Sequence, residues 1–203
     1  MKYYIEITLI DNSDYSWFEL WSKVYTQLHL AFVEHIDKEE KVPFGVSFPR
    51  YRINQQKQIG FLGEKVRIFA QTEIELQQLN LGHWLKQLTD YVHITQPREV
   101  PKEKITGYAL FYRVNPKPNL EQRIAHQARR RNISIEEASL AFKNFIALPN
   151  VEPYIVLKSL SAKREENIDR PYRLYIGKSL ADKAKDGKFG TYGLSRMATV
   201  PEF

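Results

Sequence analysis

The tightest constraint on the fold of this chain lies in its first ten residues. Residues 2–10 alternate without a break: Tyr3, Ile5, Ile7 and Leu9 take one side, and Lys2, Tyr4, Glu6 and Thr8 the other. A period of two places the apolar set on one face of a half-buried strand, so another element must cover that face. The next segment supplies a cover. Ser13 or Asp14 can cap a helix in which Phe18, Trp21, Tyr25, Leu28 and Phe32 recur at helical spacing. Residues 45–49 and 64–70 read as two further strands, separated by a polar, glutamine-rich connection. Residues 72–88 read as helix, broken near Gly82, and 91–95 as a short strand. The order β-α-β-β-α-β is the ferredoxin-like pattern, two helices on one face of a four-stranded antiparallel sheet.

Pro97 and Pro101 flank a charged stretch and mark the expected boundary between two domains, 1–97 and 98–203. Beyond it, residues 105–114 read as a strand that Pro116 and Pro118 break. Asn119 can cap a helix over about 119–131, and Ser134-Ile135-Glu136-Glu137 resembles a capping box that starts a second helix reaching about 147. Strands at 154–159 and 171–176 follow, joined by a polar loop at 160–170 and trailed by a lysine- and glycine-containing stretch to 190. The expected class is therefore α+β: a ferredoxin-like N-terminal domain and a C-terminal α+β domain bearing a basic helix. A second ferredoxin-like half is the one internal repeat that the pattern allows.

Charge points to a partner. Residues 113–131 hold Arg113, Lys117, Arg123, Arg129, Arg130 and Arg131 against the single acid Glu121, while the whole chain carries only +6. A concentrated patch of this kind is the electrostatic footprint of phosphate binding, so nucleic acid is the leading reading. A solvated helix face and a contact with anionic lipid are the plainer alternatives. No apolar run approaches the ~20 residues that span a bilayer, and the N-terminal residues lack a signal-peptide pattern. There are no cysteines, which excludes disulfides and thiolate zinc or iron–sulfur sites. His29, His35, His83, His93 and His126 are scattered, and no P-loop or dinucleotide fingerprint is present. The composition thus reads as a soluble, cytoplasmic protein without a metal or nucleotide cofactor.

On the helix expected at 119–131, Asn119, Gln122, Arg123, His126, Gln127 and Arg130 fall on one face, with Ile124 and Ala128 turned to the core. Such a face can follow groove phosphates, and Arg or Gln can read base edges. The major groove of A-form RNA is normally too narrow for side chains, although a short hairpin opens it near its ends. Elsewhere, His29 borders the apolar stripe of the first helix, Tyr192 stands in a tight turn, and Ser159 ends a strand. Taken singly, each reads as structural.

Five segments change that reading through their order: Gln27-Leu28-His29-Leu30-Ala31-Phe32-Val33, Gly45-Val46-Ser47-Phe48-Pro49, Leu157-Lys158-Ser159, Tyr172-Arg173-Leu174-Tyr175-Ile176 and Tyr192-Gly193-Leu194-Ser195. This succession resembles the CRISPR-associated endoribonuclease of the type I-F (Ypest) subtype, over nearly the whole chain. The resemblance implies metal-independent cleavage of CRISPR repeat hairpins in precursor CRISPR RNA, at the 3′ base of the stem. The ribose 2′-hydroxyl would attack, leaving a 2′,3′-cyclic phosphate and a 5′-hydroxyl, and the enzyme would stay with its product.

Residue by residue, the resemblance makes His29 the catalytic imidazole, Ser159 the holder of the attacking ribose, and Tyr192 the group that orients His29 or packs beside the scissile phosphate. Ser161, two residues on, is an alternative to Ser159. Tyr172 would stack beneath the terminal base pair. Arg113 and Asn115 would read major-groove edges, and Arg123, His126, Arg129, Arg130 and Arg131 would contact the RNA backbone, with Gln127 on the same helix face. The chain departs from the family pattern in places: Ala125 and His126 stand where arginines are usual, Asn115 where glutamine is, and Tyr172 where phenylalanine is. The implied partners are the repeat hairpin, as precursor and mature CRISPR RNA, and other subunits of a type I-F ribonucleoprotein, with no membrane. A non-catalytic hairpin-binding module and a duplex-DNA binder are the competing readings.

Overall fold

The computed structural model describes residues 1–116, 118–143, 150–158 and 171–203. In chain order the elements are β1 (Tyr3–Leu9), α1 (Trp17–Val33), β2 (Gly45–Ser47), β3 (Arg52–Asn54), β4 (Ile59–Phe61), β5 (Lys65–Ala70), α2 (Glu73–Gln78), α3 (Leu81–Trp84), β6 (Val92–Ile94) and β7 (Arg98–Glu99). They continue with β8 (Gly107–Val114), α4 (Leu120–Arg131), α5 (Ile135–Leu140), β9 (Tyr154–Lys158), β10 (Pro171–Ala181) and β11 (Val200–Glu202). The protein is a mixed α/β structure. Among the described residues no helix is long and apolar enough to cross a membrane.

β1 lies inside the first sheet, with Ile5, Ile7 and Leu9 buried as its alternation requires. It pairs antiparallel with β5, Ile5 opposite Ile68, and on its other side with β6 and β7. β2 pairs with the outer side of β5, so the sheet reads β6-β1-β5-β2. The second sheet, also antiparallel, reads β11-β8-β10-β9. Ranked by chain order within each sheet, both run fourth, first, third, second. The two differ in their crossovers: α2 and α3 lead into the fourth strand of the first sheet, whereas residues 182–199 reach β11 without a helix.

α1 covers the first sheet with Leu20, Trp21, Val24, Tyr25, Leu28, Ala31 and Phe32. Phe48 stacks on Tyr25 at 6.1 Å between ring centroids, meets Trp21 at 5.7 Å, and reaches Phe111 of β8 at 5.6 Å. One apolar core therefore runs under both sheets. Arg67 closes the junction, donating to the Phe203 carbonyl with its guanidinium 4.0 Å from the Phe203 ring centroid.

Several expectations need correction. Helix α1 is capped by Ser16, in a capping box with Glu19, rather than by Ser13 or Asp14. Asn12 turns the chain ahead of it by accepting from the Asp14 and Tyr15 amides, and Asp14 accepts from the Tyr91 hydroxyl. Phe18 does not join the buried stripe: it is 63% exposed. The helical stretch at 72–88 breaks at Asn80, which adopts the left-handed conformation (φ 46°), and Gly82 lies within α3. The polar connection contains the β3–β4 hairpin. β10 runs five residues beyond Ile176, and β11 follows the stretch read as irregular. α5 ends at Leu140, and residues 144–149, where its expected end fell, lie outside the described residues.

Candidate active site

The turn around Gly193 is where distant parts of the chain meet. Gly193 has φ +67°, and a Cβ there would sit 2.6 Å from Val46 Cγ1, so both conformation and space call for glycine. The turn is closed by the Gly193 amide to the Gly190 carbonyl (2.7 Å) and the Gly190 amide to the Leu194 carbonyl (2.9 Å). It is fastened to the first sheet by the Val46 amide donating to the Gly193 carbonyl (2.9 Å) and by an antiparallel bridge between Val42 and Phe189.

Held this way, the turn addresses His29. The Thr191 carbonyl lies 2.9 Å from His29 Nδ1, and the Tyr192 ring stacks on the imidazole at 4.2 Å between centroids and 18° between planes. One helical turn earlier on α1, the Tyr25 hydroxyl donates to the Tyr192 carbonyl (2.8 Å). The Tyr192 hydroxyl is hydrogen-bonded to that of Tyr172 on β10. The Arg113 guanidinium, at the end of β8, lies 5.9 Å from the Tyr172 ring centroid. Four elements thus deliver His29, Tyr192, Tyr172 and Arg113 to one neighbourhood.

The electrostatics follow from these contacts. A carbonyl oxygen only accepts, so Nδ1 carries the proton and Nε2 keeps a free lone pair. Burial pushes the His29 pKa below its ordinary value, and the Thr191 carbonyl opposes this without cancelling it. The imidazole is therefore neutral at pH 7, a base with one nitrogen committed and the other available. Burial, then the hydrogen bond with Tyr172, pushes the Tyr192 phenol well above its usual range, so it stays protonated.

Other expected residues lie just after β8 and on α4. Asn115, just after β8, is exposed. On α4, Arg123, His126, Gln127, Arg129 and Arg130 line a shallow groove of about 500 Å³, and Arg131 is exposed in the last turn. Asn119 and Gln122 are not free readers on that face. The Asn119 side chain accepts from the Gln122 amide, and the Gln122 side chain accepts from the Asn119 amide, forming the helix cap. Of the two apolar residues expected to face the core, Ala128 is buried but Ile124 is only half-buried, because α4 packs on α5 rather than on the main core. Ser159 and Ser161 lie outside the described residues, as does Lys117. Among the described residues, no cluster of three or more His, Asp or Glu side chains could hold a metal ion.

Three participants had escaped the sequence reading. Thr191 acts through a backbone carbonyl, which no side-chain pattern reveals. Tyr25 carried a signal, since a buried tyrosine hydroxyl needs a partner. Arg196, directly after the Tyr-Gly-Leu-Ser segment, donates to the Arg113 carbonyl (2.9 Å) and lies 4.5 Å from the Tyr112 ring centroid, adding a cation beside Arg113.

Comparison with known proteins gives this arrangement a context. Residues 4–203 match the family model described as CRISPR-associated protein (Cas_Csy4). A relative from Escherichia coli (strain UTI89 / UPEC), the CRISPR-associated endonuclease Cas6/Csy4, is 26% identical over the full length of both chains. Two solved structures also align along nearly the whole chain. One, described as an RAMP protein binding different RNA substrates, has a TM-score of 0.36 and 9% identity, over 98% of this chain and 99% of the other. The second, the CRISPR associated protein Cas6, has a TM-score of 0.35 and 11% identity, over 99% and 98%.

Proposed function

Because the chain belongs to the Cas_Csy4 family of CRISPR-associated proteins, we propose that it is an endoribonuclease that cuts the repeat hairpin of precursor CRISPR RNA at the 3′ base of the stem. The observation that carries this reading is the His29 imidazole, fixed through Nδ1 by the Thr191 carbonyl and held flat against Tyr192. His29 Nε2 takes the proton of the ribose 2′-hydroxyl. The freed oxygen bonds to the adjacent phosphorus as the bond from phosphorus to the 5′-oxygen breaks. A 2′,3′-cyclic phosphate remains on one product and, once its oxygen is protonated, a 5′-hydroxyl on the other. The step draws on a neutral base and geometry alone, so it runs without a metal ion.

Positioning matters as much as basicity in such a step. Tyr192 sets the plane of the imidazole. Tyr172, bonded to Tyr192, offers its ring as the platform beneath the last base pair, and Ser159 holds the attacking ribose in line. Arg113 and Asn115 read the edges of the last base pairs, while Arg123, His126, Gln127, Arg129, Arg130 and Arg131 hold the stem. The product stays bound, and the complex joins other subunits of a type I-F ribonucleoprotein in the cytoplasm. In this reading residues 1–97 form a ferredoxin-like domain, which the β6-β1-β5-β2 strand order supports. Residues 98–203 form the RNA-binding domain.

The test is incubation with a repeat-hairpin RNA in EDTA, beside the His29→Ala variant. The expected result is a cut at the stem base that survives EDTA, leaves a cyclic phosphate and disappears in the variant, while hairpin affinity is kept. Undiminished cutting by His29→Ala would overturn the catalytic assignment. Tight hairpin binding with no cut by the unaltered protein would mean a wrong repeat or a binding module, and the same result across several repeats would identify the module.

A further inference from the structure

A groove of about 650 Å³ runs along α1 as far as Thr26 and Gln27, within one helical turn of His29. One wall is α1 and the residues before it, including Tyr15, Phe18, Lys23 and Thr26; Trp84 and the β9 residue Lys158 stand among the others that line it. Phe18, Ser22, Thr26 and His29 are spaced four, four and three residues apart, so one face of α1 carries both the groove and the imidazole. β9 alternates between the two sides. Leu157 lies opposite Tyr172 in the sheet, and its neighbours Val156 and Lys158 point to the other side, into the groove. The groove and Tyr172 therefore flank β9.

The chemistry of the walls is distinctive. Phe18, at 63% exposure, leaves more of its ring in solvent than any other aromatic side chain among the described residues. The Lys23 ammonium lies 4.7 Å from the Tyr15 ring centroid. Among the described residues that line the groove the one acid, Glu19, is committed to the Ser16 cap. An exposed ring and two half-buried ones, Tyr15 and Trp84, set among lysines form the kind of surface that binds single-stranded nucleic acid, bases stacking on the rings and phosphates meeting the cations.

We propose that this groove binds the single-stranded RNA on the far side of the scissile phosphate from the stem, with bases against Phe18 and Trp84 and phosphates near Lys23 and Lys158. The proposal rests on the ribonuclease reading of the His29 site. With the stem ending on Tyr172, the strand that continues past His29 has to leave the protein, and the helix face bearing His29 runs directly into the groove.

The experiment compares two repeat hairpins, each carrying a 2′-deoxy residue at the cut so that they bind without reacting. One ends just past the scissile phosphate, and the other continues for about six nucleotides, within the span of single-strand sites. The extension should tighten binding by the unaltered protein roughly tenfold. Phe18→Ala and Lys23→Glu should each remove most of that gain and leave affinity for the short hairpin unchanged. Equal affinity of the unaltered protein for both RNAs, or full retention of the gain in both variants, would overturn the groove assignment while leaving the nuclease reading intact. It would turn attention to a protein segment as occupant. Failure to bind either hairpin would overturn both readings.

Discussion

Protonating His29 removes the proposed base, so cutting should fail in acid. Burial holds this imidazole below its ordinary pKa of 6.5, with the Thr191 carbonyl only partly opposing. The competent neutral form is the one populated above the shifted pKa. A single-turnover rate profile should therefore show an acidic limb with its midpoint below 6.5; a midpoint above it would point to another titrating group. Gly193→Ala tests the turn that delivers Thr191. An alanine in the left-handed region costs roughly 1–2 kcal/mol, and its Cβ would press on Val46. Melting temperature and cutting rate should fall together in that variant. His29 was visible in the sequence as a border residue of an apolar stripe, yet nothing in that stripe distinguishes a catalytic imidazole from a structural one. The contact that orients it comes from a backbone carbonyl 162 residues away, and backbone atoms leave no mark in a sequence.

Among the elements, α4 joins a tight start to a cationic end. Asn119 and Gln122 cap its N-terminus, and Arg129, Arg130 and Arg131 occupy its last turn, where cations also suit the helix dipole. Replacing Arg129 and Arg130 together should weaken hairpin binding without moving the cut, which mapping of product ends would check. Binding by the unaltered protein should fall steeply with salt, each neutralised phosphate adding roughly 0.7–0.9 to the log–log slope, and the double variant should lose between one and two such units. Elements with strong periodicity or clear caps were legible in the sequence: β1 by its alternation, α4 by Asn119 and the prolines before it. The β3–β4 hairpin was not, because its strands are three residues long and half exposed, so burial imposes no alternation on them. Asn80 broke the second helical stretch two residues ahead of Gly82, since asparagine also tolerates the left-handed conformation. Ser16 took the cap from Ser13 and Asp14 because it precedes a glutamate at the capping-box position, while Asn12 drew Asp14 into a turn.

At the scale of the molecule, Glu6 is the charge on which the first sheet depends. Burial alone would raise its carboxyl pKa, but hydrogen bonds from Lys65 (2.6 Å) and Arg67 (2.8 Å) hold it below the ordinary 4.5. A depressed carboxyl stabilises the fold above its unfolded pKa and loses that contribution as pH falls through the folded one. Glu6→Gln should therefore cost about 1–3 kcal/mol at neutral pH and much less in acid, read as a melting difference that narrows as pH drops. Arg67 also holds Phe203, so the loss should be felt where the two sheets join. The sharing of one core by both sheets was not legible, because Phe48 and Phe111 each look like ordinary strand residues until they touch.

The Val46–Gly193 fastening has a consequence for how the protein is made. A ribosome emits His29 early and Thr191 long afterwards, and the imidazole has no fixed orientation in the interval. Until the later turn returns to Val46, His29 lacks the Thr191 carbonyl that orients it. In the proposed reading the base is complete only once the turn at Thr191 has folded back onto His29, so a nascent chain that stops short of that turn would spare the transcripts near it.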